Sequence, residues 1–570
     1  MLVHNGVRRD ARVIKEARTL SEAGHRLTVF GLSECAKPER FMLPQTDIVV
    51  VLLPRTEARP GSISTFAKQA FKALSLTATI MVAACVMLIA AAGFAFDSRA
   101  IGFIAASMAI TVFAFAVAYL LRRQIAARLA RIRKDGKWRK RRRRLNGLIM
   151  RGITWSNSAA ARWTVQTGIV LGGALLVGFP SFVWLGWSRL LTSLHITLIV
   201  LLVAITFGIV ALLLIRGAVS LRVARSLRSI LPHTENDARQ SGTEPLAVVL
   251  HLESYARIAD ALGAAVLDAA DFDAIHIHDH VCMLAAGTLK KRLDIPIVWD
   301  AHEIYRDLAA IDVSRARANH LIVVNQQHHV DAFITINESI ANFYVQQYPH
   351  LAEPTVVMNA TIPTRLLAYD GRLHDAAGLP RSQRILLFQG GFGHCRGLRA
   401  LVGAAENLPA SWTLVLMGWG GLENELRAIA RGQTALAGLP RTVFLPGVPY
   451  HELQAWSSGA SLGAILYENT SLNHLYCTPN KLWEYPNAGV PILATDLVEI
   501  GKVVRQHEIG FLVERDFDAH DIIRAVVALS DQDLANTRQN CLDFAEVQNW
   551  SLYEPRLRAV YEKMRDAVVA

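Results

Sequence analysis

Four short stretches hold side chains whose type and spacing could do chemistry. "FQGGFGHCRGL" (Phe388 to Leu398) reads as a strand, a glycine-rich turn through Gly390 and Gly391, and Arg396-Gly397 at a helix start. Glycines let backbone N–H groups approach a phosphate, and a guanidinium favours its charge. Such a turn also serves simply to join strand to helix, and "GWGG" (Gly418 to Gly421) is read that way. In "YCTPNKLWEYPNAGVPILATD" (Tyr476 to Asp496), Pro479 suits the first position of a helix that carries Lys481 and Glu484. Glu484 could accept hydrogen bonds from a sugar's vicinal hydroxyls, or be a plain solvated carboxylate. "WDAHE" and "HIHDH" place His302 and His278 at the ends of neighbouring strands, candidates for contact with a substrate. Separate strands carry these His, Asp and Glu groups, so no metal is expected. G-x-S-x-G, the P-loop pattern and H-E-x-x-H are absent.

The elements that must position these residues alternate strand and helix. "MLVHN" reads as a strand, "ARVIKEARTLSEAGH" as an amphipathic helix, and "RLTVFGL" and "DIVVVLLP" as further strands. After a long interruption the pattern resumes with helix 250–269, "AIHIHD", helix 281–293, "IPIVWDAHE", a helix near 313–329 and "AFITINE". It restarts with six strands, "RILLFQGG", "WTLVLMGWG", "TVFLPGV", "LGAILYE", "VPILATD" and "GFLVE". This spacing implies right-handed βαβ units and parallel sheets. The fold class is therefore α/β, with two Rossmann-like doubly wound domains facing a cleft. In such sheets ligands bind outside the carboxyl ends of the strands.

The interruption is apolar and basic. The chain has 570 residues, 52% hydrophobic and 19% charged, with net charge +12 and mean hydropathy +0.27. Between Gly61 and Gln240 there are 24 Lys+Arg against 4 Asp+Glu, so the rest is net acidic. Four stretches, about 74–96, 100–121, 165–188 and 190–215, lack Asp, Glu, Lys and Arg and are long enough to cross a bilayer. The loop 122–164 opens with 13 Lys+Arg and one acid over 122–144, which places it in the cytoplasm by the positive-inside rule. The expectation is a multi-pass inner (cytoplasmic) membrane protein with cytoplasmic catalytic domains. Its parts are 1–60 (first domain, first part), 61–240 (membrane insertion), 241–365 (first domain, second part) and 366–570 (second domain, with terminal helices packing back). "KDGKWRKRRRR" (Lys134 to Arg144) would grip anionic headgroups of membrane lipids. Nucleic acid is not an expected partner, since Trp138 alone interrupts that run. The six cysteines are scattered, as reduced thiols are, and no signal peptide is expected from "MLVHNGVRRDARV".

Outside the insertion the chain resembles glycosyltransferase family 4, the retaining, sugar-nucleotide-dependent enzymes of GT-B fold. The resemblance rests on "RRDARVIKEARTLSEAGHRLTVFG", "IHIHDH…PIVWDAHEIY", "FQGGFGHCRGL" and "NHLYCTPNKLWEYPNAGVPILATD". It implies His302, Glu484 and Arg396 as catalytic residues, with His302 facing the transferred sugar and Glu484 on the donor's ribose. The donor-binding set is Gly390, Gly391, Arg396, Tyr476, Asn480, Lys481 and Glu484. Tyr476 replaces the first Glu of the family's E-x7-E pair, and Gly391 stands where an Arg is common. Lys481 could supply that missing charge. Acceptor-side candidates are Asn5, Gly6, Arg12, His278 and Asp300. No cofactor is implied, because the nucleotide sugar is itself a substrate.

The leading expectation is sugar transfer from a nucleotide-sugar donor to a lipid-linked or cell-surface glycan acceptor on the cytoplasmic face, with retention. The alternative is a catalytically degenerate sugar-binding scaffold or docking module of a polysaccharide assembly or export system.

Overall fold

A computed structural model of the chain describes residues 1–54 and 246–569, apart from Arg9, Ala36, Ala270 and 365–367, together with Thr206, Ile230 and Leu231. The chain divides into two units, Met1–Ile63 with Arg222–Ala570, and Ser64–Leu221. The first holds both α/β domains.

The first domain has strands β1 (Thr28–Ser33), β2 (Glu39–Met42), β3 (Val49–Pro54), β4 (Ile275–His278), β5 (Ile297–Ala301), β6 (Ala332–Thr335) and β7 (Pro354–Val356). β1, β4 and β5 are buried almost throughout, as strands covered on both faces must be, and β4 and β5 carry His276, His278 and Asp300 within that buried surface. They fall into two ladders, β1-β3-β2 and β4-β5-β6-β7. The opening segment splices them. Leu2 bridges to both Phe30 and Ile277, donating to the His276 carbonyl at 2.8 Å while its own carbonyl accepts from His278 N at 3.0 Å. A stretch that reads as a short first strand is thus the seam of the sheet. β2 runs antiparallel to β3 at the edge. Its "ERFM" has too little apolar alternation to stand out as a strand, and its charged side chains suit an edge.

The second domain has β8 (Arg384–Gly391), β9 (Trp412–Trp419), β10 (Thr442–Leu445), β11 (Leu462–Ile465), β12 (Ile492–Thr495) and β13 (Gly510–Val513). All pairs are parallel, in the order β10-β9-β8-β11-β12-β13. The winding reverses between β8 and β11, so the glycine-rich turn after β8 lies at the topological switch point. Burial of "RILLFQGG" and "WTLVLMGW" side by side forms the centre of this core.

The last helices return to the first domain. Trp550, 1% exposed, donates from Nε1 to Thr19 Oγ1 at 2.8 Å and from its backbone N–H to the Thr361 carbonyl at 2.8 Å. Tyr561, on helix Glu554–Val569, meets His276 Nδ1 at 2.7 Å.

The expected multi-pass inner-membrane placement is corrected. Among the described residues no helix is long and apolar enough to cross a membrane. A span needs about 20 consecutive apolar residues, and the 24-residue helix Leu246–Ala269 carries Glu253, Arg257, Asp260 and Asp268 along its length. The stretches 74–96, 100–121, 165–188 and 190–215, and the basic loop 122–164, lie outside the described residues, Thr206 apart.

Candidate active site

The two domains enclose a cavity of about 1950 Å³, larger than a pocket for one small ligand and roomy enough for two substrates. Its second-domain wall begins where β8 ends. Gly390 has φ +113 and Gly397 φ +63, conformations that side chains rarely adopt. A Cβ on Gly397 would lie 2.4 Å from the Leu466 carbonyl oxygen, and one on Gly418 1.9 Å from that of Gly390. The backbone therefore folds over itself here, leaving main chain rather than side chains at the cavity wall.

Two cations flank this turn. Arg396 curls back, its Nη1 donating to the Gly391 carbonyl at 3.0 Å. A Cβ on Gly391 would lie 3.3 Å from that same Nη1, so the glycine leaves the space that the guanidinium fills. Lys481 Nζ would lie 3.3 Å from a Cβ on Gly390. Burial, with Arg396 beside it, lowers the Lys481 ammonium to about 8. Neither cation has an ion-pair partner among the described residues. Glu484 acts on Lys481 from beyond ion-pair distance, and two like charges held this close suit an anion.

Glu484 stands beside them on helix Lys481–Asn487. Its Oε2 accepts from Gln389 Nε2 at 2.9 Å, and Gln389 in turn accepts from Ser457 Oγ at 2.6 Å. Burial raises its carboxyl above the usual range. Pro479 lies just before this helix rather than inside it, and Asn480, the capping position, makes no side-chain cap; Asn480 lines the cavity instead.

The first-domain wall is a buried polar network ending at His302. Arg12 grips Asp300 with Nε to Oδ2 at 2.7 Å and Nη2 to Oδ1 at 2.8 Å, and donates to the Val357 carbonyl and Asn359. Asp300 Oδ2 receives His302 Nε2 at 2.7 Å and lies 3.2 Å from His278 Nδ1. Asp279, with φ +61, approaches His302 Nδ1 at 3.5 Å and accepts from Tyr305 Oη at 2.7 Å. Burial disfavours a charged His302, but Asp300 and Asp279 overcome it and raise the ring to about 9. Asp300 stays ionised: burial opposes its charge, and Arg12 and His302 outweigh it.

Glu16, His276, His278 and Asp300 are all buried, with ligand-type atoms within 4.8 Å of one another. The expectation that separate strands keep such groups apart is corrected, since parallel pairing of β4 and β5 and the first helix bring them together. Arg12, 2.9 Å from Glu16 and bidentate on Asp300, supplies positive charge at this cluster.

The cavity wall includes Gly390, Gly391, Arg396, Asn480, Lys481, Glu484, His302 and Arg12. It does not include Tyr476, Asn5, Gly6, His278 or Asp300. Asn5 spends its amide on Asp10 and the Val7 N–H, shaping the loop beneath the cavity. His278 and Asp300 are wholly buried behind His302. Lys15 and Glu303, which motif reading passed over, are in the wall. Glu303 stands in the quoted "WDAHE" beside His302, and Lys15 lies on the helix that also carries Arg12.

Residues 231–365 match the model of Glycosyltransferase Family 4, and residues 383–532 that of Glycosyl transferases group 1. Both matched segments are therefore of the glycosyltransferase type. A curated relative, the D-inositol 3-phosphate glycosyltransferase of Xylanimonas cellulosilytica, is 25% identical over 266 residues, covering 44% of this chain and 61% of the relative. Among solved structures, sucrose-phosphate synthase of Thermosynechococcus elongatus has TM-score 0.44 and 16% identity over 55% of this chain and 78% of the other. HepE of Anabaena with UDP and glucose has TM-score 0.42 and 13% identity over 55% and 81%. The glycine turn, the two cations and Glu484 lie in the matched group 1 segment, and His302 in the matched family 4 segment.

Proposed function

We propose that this glycosyltransferase moves a sugar from a nucleotide-sugar donor to a glycan acceptor with retention of anomeric configuration. The observation that carries the reading is the convergence of Arg396 and Lys481, neither in an ion pair among the described residues, on the turn at Gly390 and Gly391. A diphosphate fits that charge, and Glu484 next to it suits ribose hydroxyls. As the glycosidic bond breaks, negative charge grows on the departing diphosphate, and Arg396, Lys481 and the turn's N–H groups stabilise it. His302, held protonated between Asp300 and Asp279, faces the sugar from the first domain. The acceptor hydroxyl attacks on the face from which the diphosphate leaves and passes its proton to the departing diphosphate oxygen, with no covalent intermediate invoked.

The test is a screen of UDP-, GDP- and other nucleotide sugars against lipid-linked and free saccharide acceptors, with the product's anomeric configuration read by NMR. Arg396→Ala and Glu484→Ala each lower kcat/KM by roughly 10²-fold or more, the scale of losing one preorganised charge contact. Wild-type rates in both variants would overturn the site, and an inverted product would overturn retention.

A further inference from the structure

We propose that Glu303 is the carboxylate that receives the donor's sugar hydroxyls, the part that the family pattern assigns to position 476. The proposal rests on the donor reading above. Tyr476 ends the helix Leu472–Tyr476; its carbonyl accepts from Asn337 Nδ2 at 2.7 Å, and its half-buried side chain is outside the cavity wall. Glu303 is exposed and in that wall, one residue from His302. Its carboxylate has no hydrogen-bond or ion-pair partner among the described residues.

Its backbone is fixed from two sides. Tyr344 Oη donates to the Glu303 carbonyl at 2.7 Å, and the next N–H, of Ile304, donates to Asn473 Oδ1 at 2.7 Å. Asn473 belongs to the helix that Tyr476 ends, and Leu472 at its start donates to Asp307 Oδ2 at 2.7 Å. The loop after β5 is therefore stitched to the very helix where the family's first Glu would stand. Cys477, the next residue, lies within electrostatic reach of the Glu303 carboxylate, as do Tyr467 and Arg396. A carboxylate missing from one wall is thus supplied from the opposite one. Its two oxygens can accept from neighbouring hydroxyls of one sugar ring.

The sharpest test compares binding with and without the sugar, by calorimetry on the full chain: UDP-glucose against UDP, and GDP-mannose against GDP. Wild type binds the matching nucleotide sugar more tightly than the bare diphosphate. Glu303→Gln weakens the nucleotide sugar roughly 10- to 100-fold, the worth of a hydrogen bond to a charged group, and leaves the diphosphate unchanged. Glu303→Asp retains part of the difference, and an unchanged Tm shows that both variants fold. Unchanged nucleotide-sugar affinity, or equal weakening of both ligands, would overturn the role of Glu303 while leaving the donor site standing. A wild type that binds neither ligand would overturn the donor reading and this proposal with it.

Discussion

His302 sits between two carboxylates, Asp300 Oδ2 at 2.7 Å from Nε2 and Asp279 Oδ1 at 3.5 Å from Nδ1. A ring raised to about 9 stays an imidazolium across the neutral range, so the high-pH limb of kcat falls as pH rises through about 9. Asp300→Asn removes a counter-charge and moves that limb to lower pH, which a kcat–pH profile reads directly. The linkage has the same sign for stability. A histidine raised above its unfolded 6.5 stabilises the fold fully below that value and loses the contribution as pH climbs through 9. Lys481, at about 8, loses its charge one unit earlier, so KM for the donor rises from pH 8 while kcat still holds. His302, Arg396, Lys481 and Glu484 were legible because each lies in a short motif at a strand end or helix start. Glu16 and Asp279 were not, because what they do depends on side chains from other elements: Glu16 lies 3.5 Å from His276 and Asp279 3.2 Å from His4.

At the scale of elements, the turn after β8 is held by glycines that admit no side chain. Gly397 combines φ +63 with a Cβ position 2.4 Å from the Leu466 carbonyl. Gly397→Ala therefore costs about 2–4 kcal/mol, combining αL strain with a backbone clash, and misplaces Arg396 beside it. Thermal unfolding and donor KM should both report the change. The six strands of the second domain were readable as apolar runs between glycine and proline signals. The opening segment was readable only as a short strand. Its place between β1 and β4 depends on hydrogen bonds to two strands more than two hundred residues apart in sequence. β2 escaped because four alternately half-buried and exposed residues carry almost no pattern.

For the whole molecule, Trp550 and Tyr561 tie the end of the chain to the first domain. Trp550→Ala removes a buried indole and its bond to Thr19, so stability falls by about 3–5 kcal/mol, visible as a lower denaturation midpoint in urea. Tyr561→Phe keeps the ring and loses one hydrogen bond, for about 1 kcal/mol. The two-domain α/β architecture followed from the alternation of strands and helices. The membrane expectation came from residues 61–240, whose apolar runs speak only for themselves, and it gains nothing from the helices of the described domains.

The ties from Trp550 and Tyr561 to the first domain also bear on the order of events at the ribosome. Thr19 emerges early, yet its partner Trp550 lies 531 residues later, and His276 waits 285 residues for Tyr561. The second domain, with every strand and its crossovers between Arg384 and Val513, can close on contacts of short range. The first must hold an unfinished face until Trp550 and Tyr561 have been made, and contacts so distant slow the search for them. Its exposure to misfolding is therefore set by the time of translation, and the nascent first domain is where a chaperone would find the most to cover.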